Sequence, residues 1–540
     1  MTQEKSNPDQ SLNRRNFIKT SAIVSSGLLL SGSSVFAGNP TKQESIVQTK
    51  YGKVRGSFSG GIHTFKGIRY GADTSNRRFQ PPLPPDNWNG IADATEYGAN
   101  APQGNGENTS EDCLFLNVWT PALDDAKKRP VLFYIHGGAF SNGSGSDPLT
   151  DGTNLCQKGD VVVVSINHRL NAFGYLYLGM MGDEKYASSG NVGQLDIILA
   201  LKWVQDHAEA FGGDPGNVTV FGQSGGGAKI ATLMAMPSAK GLFHRAWTMS
   251  GQQVVAAGPR AATQRAGLLL ETLGLKPNEL ENLQNAPMND ILAATKVRDF
   301  SRVENKSLHF CPVLDHTALP CHPFYPVAAT QSAEIPMVIG NTKDETRAFL
   351  GRIPGVHELS WEQLPQLILE NQFVDIRPDV VIEGYRKMYP EYTATEVFFA
   401  ATTAGRSWRG AVIEAEERSK QNGAATWVYQ LNWQSPVNGG KLGACHAMDI
   451  PLVFNNTAVE VSPSGNGQSA QNMANVMSET LLAFARTGNP GHNKLTAWPP
   501  FSLPTRETML FDEVSRMDND PRGGERKLYG QVPFLQRGTY

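Results

Sequence analysis

The strongest constraint on how this chain folds is an abrupt change of pattern at Gly222. Val218-Thr219-Val220-Phe221 is a continuous apolar run. Runs of this kind suit a strand covered on both faces rather than one half-exposed to water. Gly222-Gln223-Ser224-Gly225-Gly226 follows at once, and then Ala228-Lys229-Ile230-Ala231-Thr232-Leu233-Met234, which is compatible with a helix. A buried strand that turns into a helix within five residues needs a sharp bend. The glycines two positions either side of Ser224 leave room for it. No second G-x-S-x-G occurs in the chain. An ordinary glycine-rich turn would not need a buried strand on one side and a helix on the other.

Two further apolar runs extend the pattern. Val131–Ile135 ends in His136-Gly137-Gly138, and Val161–Ile166 follows it. Between the second and third runs, Asn191–Phe211 carries Leu195, Ile198, Leu199, Leu201, Trp203 and Val204 at helical spacing. Strand, helix, strand is the crossover of an α/β fold built on a mostly parallel sheet. Ahead of it, Ile46–Arg55 and Ile62–Tyr70 flank Ser59-Gly60-Gly61 and predict an N-terminal β-hairpin. From about Pro259 to Tyr392 the chain reads as helical and irregular, with one strand-like run at Ile335–Gly340. Final strands are expected at Ala425–Leu431 and Met509–Phe511, with a helix from Gln471 to Thr487 between them. The expectation is one catalytic domain over residues 38–540, with helical excursions capping a single sheet.

Composition excludes more than it selects. The chain has 540 residues, and 48 Lys and Arg against 51 Asp and Glu leave a net charge of −3. That balance points to neither nucleic acid nor an anionic membrane surface as partner. Residues 1–37 read as an export leader: Arg14-Arg15 precede Phe17, a short apolar run spans Ala22 to Leu30, and Val35-Phe36-Ala37 is a small-x-small cleavage pattern. The paired arginines are of the twin-arginine type, and localisation is expected to be periplasmic or secreted. No segment reads as a membrane span. The five cysteines describe no disulfide framework, although Cys311 and Cys321 are close enough in sequence to pair after export.

A serine hydroxyl is a weak nucleophile near neutral pH and needs a base, and the oxyanion it generates needs donors. His136-Gly137-Gly138-Ala139-Phe140 stands at the end of the first buried strand, where backbone N–H groups can converge. The expected donors are the N–H groups of Gly138, Ala139 and Gly225. Base and acid should follow Ser224 in the order acid, then histidine. His446, just before the apolar Pro451-Leu452-Val453-Phe454, fits better than His357 or His492, which lie in polar surroundings. The acid should leave the Ile335–Gly340 strand in Asn341-Thr342-Lys343-Asp344-Glu345, where spacing does not separate Asp344 from Glu345. With no H-E-x-x-H and no phosphate-binding loop, no metal or organic cofactor is expected.

These stretches resemble the type-B carboxylesterases, a family that includes cholinesterases and bacterial para-nitrobenzyl-type esterases. The likeness runs from about Val47 to the end. Its matching stretches include Phe65–Tyr70, Glu111–Val118, His136–Phe140, Asn167-His168-Arg169-Leu170, Phe211–Pro215, Gly222–Gly227, Asn341–Glu345 and His446–Phe454. The resemblance implies an α/β-hydrolase fold and hydrolysis of a small-molecule carboxylic ester through an acyl-enzyme on Ser224. It selects Glu345 as the acid beside His446, and it implies an ion pair between Glu111 and Arg169 and a serine, Ser250, near the acid.

The departures matter too. Ala101 stands where the family has a cysteine to pair with Cys113. Gln103–Ser110 carries no tryptophan, which disfavours a quaternary-ammonium substrate. Gln223 replaces a glutamate, Ala139 replaces a glycine, and Cys445 reads as packing. Amides, carbamates or a specialised phenolic or polymer ester would use the same parts. A non-catalytic binding protein on this scaffold would be expected to lack the nucleophile or the base. The expected assembly is a monomer or a weak homo-oligomer.

Overall fold

The computed structural model describes residues 45–104, 107–299 and 307–536. The expected leader, residues 1–37, lies outside them. The chain divides into residues 1–43 and 44–540, and every described element belongs to the second unit.

Among the described residues thirteen strands form the frame: β1 (Ser45–Gln48), β2 (Lys53–Ser59), β3 (Ile62–Arg69), β4 (Ile91–Asp93), β5 (Phe115–Thr120), β6 (Arg129–Ile135), β7 (Val162–Ile166), β8 (Gly213–Gln223), β9 (Arg245–Met249), β10 (Met337–Thr342), β11 (Thr426–Leu431), β12 (Glu507–Phe511) and β13 (Arg516–Asn519). They pair in the order β1-β2-β3-β5-β7-β6-β8-β9-β10-β11-β12-β13, with β4 on β2. From β7 to β12 every neighbouring pair is parallel. The remaining pairs along the path, at both ends, are antiparallel.

Burial on both faces explains the apolar runs. Along β6, Val131, Phe133 and Ile135 enter one core while Leu132 and Tyr134 enter the other. Val218 and Val220 of β8 join the first core, and Phe221 joins the second. The helices Val192–His207 and Gly225–Leu233 cover the first face, through Ile197, Leu201, Trp203, Ile230 and Leu233. The helix Gln468–Thr487 covers the second, through Met473, Met477, Leu481 and Phe484. The excursions carry small cores of their own, one around Leu269, Leu283, Ile291 and Phe310, another around Leu364, Val381, Phe398 and Tyr529.

The N-terminal hairpin is richer than expected. Ile46–Arg55 is not one strand but two, folded back at Lys50-Tyr51-Gly52, so that Ile46 faces Arg55. The Thr49 hydroxyl closes that turn by donating to the Gly52 carbonyl at 2.8 Å. The expected hairpin then follows between β2 and β3. Gly60 and Gly61 both lie at positive φ, the backbone of a two-residue turn that matches strand twist.

Two contacts that the sequence raised are not formed. Cys311 and Cys321 form no disulfide: Cys311 is buried in the Leu269–Phe310 core and Cys321 is exposed. Glu111 does not pair with Arg169. Asp196, on the helix Val192–His207, takes both Arg169 Nε (2.8 Å) and Nη2 (2.6 Å), while Glu111 takes Arg78 Nε (2.6 Å) and Nη2 (2.5 Å). Each guanidinium fork is already filled by a carboxylate that matches it, and all four side chains are buried. Ala101 and Cys113 share the first core without a bond.

Candidate active site

Strand β8 ends at Gln223 and the next helix begins at Gly225, so Ser224 occupies the bend alone. Its backbone sits at φ 56°, ψ −125°, a region that costs a non-glycine residue free energy and persists only where the surroundings impose it. Its N–H donates to the Met249 carbonyl at 2.7 Å, and its carbonyl accepts from Ala228 N at 3.0 Å. Packing enforces the bend: a Cβ on Gly226 would stand 2.0 Å from the Ile135 carbonyl oxygen. The helix N-terminus therefore points its free N–H groups at the Ser224 region, where they favour negative charge.

The loop that follows β6 runs in left-handed backbone, with Gly138 at φ 82° and Ala139 at φ 53°. Ser141 N and Asn142 N both donate to the Gly138 carbonyl at 3.1 Å, and Asn171 N holds the Phe140 carbonyl at 2.7 Å. Ala139 closes directly over Gly225: its carbonyl oxygen lies 2.0 Å from where a side chain at 225 would begin. The Gln103 amide braces the far side of the loop through both backbone groups of Gly143.

Glu345 and His446 come from the ends of two other parallel strands. Glu345 follows β10, is 1% exposed, and places Oε2 2.5 Å from His446 Nδ1. Its Oε1 accepts from Thr342 N (2.8 Å) and Asn341 Nδ2 (3.1 Å). Burial alone would push this carboxyl up; the charge and hydrogen bond of His446 hold it below the usual carboxylate range. The Ser250 hydroxyl lies near enough to help, although its oxygen makes no bond of good geometry. Asp344 is turned away, accepting from Ala444 N at 3.0 Å and facing Arg347 at 3.5 Å.

His446 follows β11 and lies under the Phe349 ring, centroids 4.8 Å apart. With Nδ1 committed to Glu345, Nε2 is left as the acceptor, and the Gln223 amide donates to it at 3.1 Å. In the sequence Gln223 stands out only as a departure, without a role. His357 and His492 stay with the Gly351 carbonyl and the Thr480 hydroxyl. Cys445 packs in the second core, its thiol pushed up to about 12 by burial and then by the Glu345 charge.

Ser224, Glu345, His446, Gly138, Ala139 and Gly225 all line one cavity of about 590 Å³. Sequence reasoning missed much of its wall: Gln252 and Gln253 after β9, Arg406 in a π-helical turn, and Phe534–Gln536 near the C-terminus. No local pattern announces such residues, because they meet only through the tertiary fold. Among the described residues no cluster of His, Cys, Asp or Glu converges as a metal site. No described helix is long and apolar enough to cross a membrane.

A strained serine at a strand-to-helix bend, with a carboxylate and an imidazole delivered in that order from later strands, marks a serine hydrolase of the α/β-hydrolase class. Residues 43–528 match the profile of the carboxylesterase family. The chain is 36% identical to a para-nitrobenzyl esterase of Bacillus subtilis, over 89% of its length and 98% of that protein. It is 32% identical to a phenmedipham hydrolase of Pseudarthrobacter oxydans, over 84% of its length and 92% of that protein. A carboxylesterase of Geobacillus stearothermophilus superposes with a TM-score of 0.80 at 37% identity, over 90% of this chain and 99% of that one. The chain belongs to the carboxylesterase family, with its α/β-hydrolase fold, and is a serine carboxylic ester hydrolase.

Proposed function

We propose that Ser224 is the nucleophile, His446 the general base and Glu345 the orienting acid. The observation that carries this is the 2.5 Å contact between His446 Nδ1 and the buried Glu345 carboxylate, in the cavity that holds the Ser224 bend. The ring nitrogen Nε2 exchanges the Gln223 amide for the serine hydroxyl, takes its proton as Oγ attacks the ester carbonyl, and returns it to the departing alcohol. Glu345 holds the tautomer and stabilises the imidazolium. The N–H groups of Gly138, Ala139 and Gly225 receive the oxyanion. Water repeats the cycle on the acyl-enzyme and releases the acid.

Ser224→Ala should cut kcat/KM for a nitrophenyl ester roughly a million-fold with the circular dichroism unchanged. A fluorophosphonate adduct mapped to any residue but Ser224 would refute the assignment.

The cavity favours uncharged esters over choline esters. The Arg406 guanidinium already lies over the Phe349 ring, 5.8 Å from its centroid, so a quaternary ammonium would meet a like charge there. Acyl or alcohol groups with an aromatic ring suit Phe140, Phe349 and Phe534. We also propose that the protein works outside the cytoplasm after removal of residues 1–37. The N-terminal sequence of the exported enzyme tests this, and export that survives replacement of Arg14 and Arg15 by lysine would exclude the twin-arginine route.

A further inference from the structure

Lys229 is an unusual residue to find where it is. It lies on the helix that starts just after Ser224 and is 0% exposed. Among the described residues no carboxylate pairs with it, and burial pulls its ammonium down to about 7. A buried lysine without a counter-ion costs stability, so its contacts should show what it does.

Those contacts are the two ends of the oxyanion loop. Lys229 Nζ donates to the His136 carbonyl at 3.0 Å, where the loop leaves β6. It also lies 5.8 Å from the centroid of the Phe140 ring, where the loop ends. Only Gly137, Gly138 and Ala139 stand between. The peptide after the one whose carbonyl Lys229 holds carries the Gly138 N–H, so fixing the first orients the second through a single α-carbon. Gly138 and Ala139 are both left-handed, and such backbone holds its shape only where its surroundings over-determine it.

The cluster supplies no rival cation. The His136 ring stacks on His168 with centroids 4.7 Å apart. Burial, reinforced by the Lys229 charge, pulls His136 down to about 3 and His168 well below the usual imidazole range. Ammonium and amine can both donate to the carbonyl, so the bond persists across the working pH range.

We infer that Lys229 is a positioning residue for ester hydrolysis: it clamps the Gly137–Ala139 loop from behind, through the His136 carbonyl and the Phe140 ring, and aims the donors of the oxyanion hole. This rests on the assignment of the Gly138, Ala139 and Gly225 N–H groups as that hole.

The test compares the full-length wild type with Lys229→Met and Lys229→Gln. The readouts are kcat and KM on a nitrophenyl ester, Tm, and affinity for a trifluoromethyl ketone whose serine adduct places an oxyanion in the hole. Lys229→Met should lower kcat about ten- to a hundredfold, with KM within about threefold and ketone affinity falling with kcat. Lys229→Gln, which keeps an N–H donor on a shorter stem, should fall less, and it carries the test if the methionine variant does not fold. Tm should not drop, because a buried charge is removed. Unchanged kcat and ketone affinity would overturn the inference. So would a loss of kcat that follows a lower Tm with ketone affinity intact, since that marks a merely structural role. A wild type that fails to bind the ketone would instead overturn the oxyanion-hole assignment itself.

Discussion

Gln223 Nε2 donates to His446 Nε2 across 3.1 Å, so the nitrogen proposed to receive the Ser224 proton rests on a neighbouring amide. Gln223 is 2% exposed, and a carboxylate in its place would act on the ring with little screening. Gln223→Glu would give the protonated ring a counter-charge and favour the form that is no longer a base. The acidic limb of the kcat/KM profile should move to higher pH by about one unit, with activity at neutral pH falling several-fold. A limb that stays in place would show that this amide does not face the working ring.

The close approach of the elbow helix to β6 makes a second prediction. Gly226→Ala would drive a methyl to 2.0 Å from the Ile135 carbonyl oxygen, which is backbone and cannot swing away. Overpacking of this kind costs about 1–3 kcal/mol and would shift Ser224 with the helix. Activity should fall at least about tenfold and Tm should drop. Gly267→Ala, on the helix Pro259–Thr272 with open space around it, is the control and should raise stability by about 0.5–1 kcal/mol. Equal effects from the two substitutions would contradict this packing.

A buried carboxyl close enough to feel the charges of Glu345 and His446 sets a pH dependence. Burial, then the Glu345 charge, pushes Asp449 up to about 7, while the Tyr429 hydroxyl donates to its Oδ2 at 2.9 Å. The folded state thus binds this proton more tightly than the unfolded chain, whose carboxyl titrates near 4. Its contribution favours folding at low pH and is lost as pH rises through about 7. Asp449→Asn removes that loss and keeps an acceptor for Tyr429. The Tm of the variant minus that of wild type should therefore increase from pH 5 to pH 8. A difference that is flat or falls with pH would refute the buried-acid account.

What could be read from the sequence depended on how locally each feature is encoded. β6, β7 and β8 were legible because strands buried on both faces need apolar side chains at consecutive positions. β5 was not, since Asn117 interrupts it. That side chain is buried because it braces loops, donating to the Gly145 carbonyl and the Ser165 hydroxyl at 3.0 Å and accepting from Gly67 N at 2.9 Å. β9 is only five residues long and opens on Arg245. Ser224 and His446 stand out through their neighbours in the chain. Glu345 and Asp344 do not, because adjacent carboxylates at a strand end differ only in the direction each leaves the sheet. The burial of Lys229 was hidden for a related reason, as a lysine on a short helix reads as solvent-facing until the helix is seen enclosed on every side.

The buried ion pairs separate what the resemblance implied from what this chain builds. Arg169 is held by Asp196 and Arg78 by Glu111, each through two guanidinium nitrogens. Removing one partner leaves an uncompensated buried charge, so Asp196→Asn should cost about 3–5 kcal/mol. Arg78 also donates to the Gln284 carbonyl at 2.9 Å, so losing Glu111 should loosen the 280–286 segment as well. Double-mutant cycles measured by denaturant unfolding distinguish the pairings. Arg169 with Asp196, and Arg78 with Glu111, should each couple by more than about 1.5 kcal/mol. Arg169 with Glu111 should be additive to within about 0.5 kcal/mol. A strong coupling between Arg169 and Glu111, with a weak one between Arg169 and Asp196, would restore the pairing that the resemblance implied and overturn the one seen in the structure.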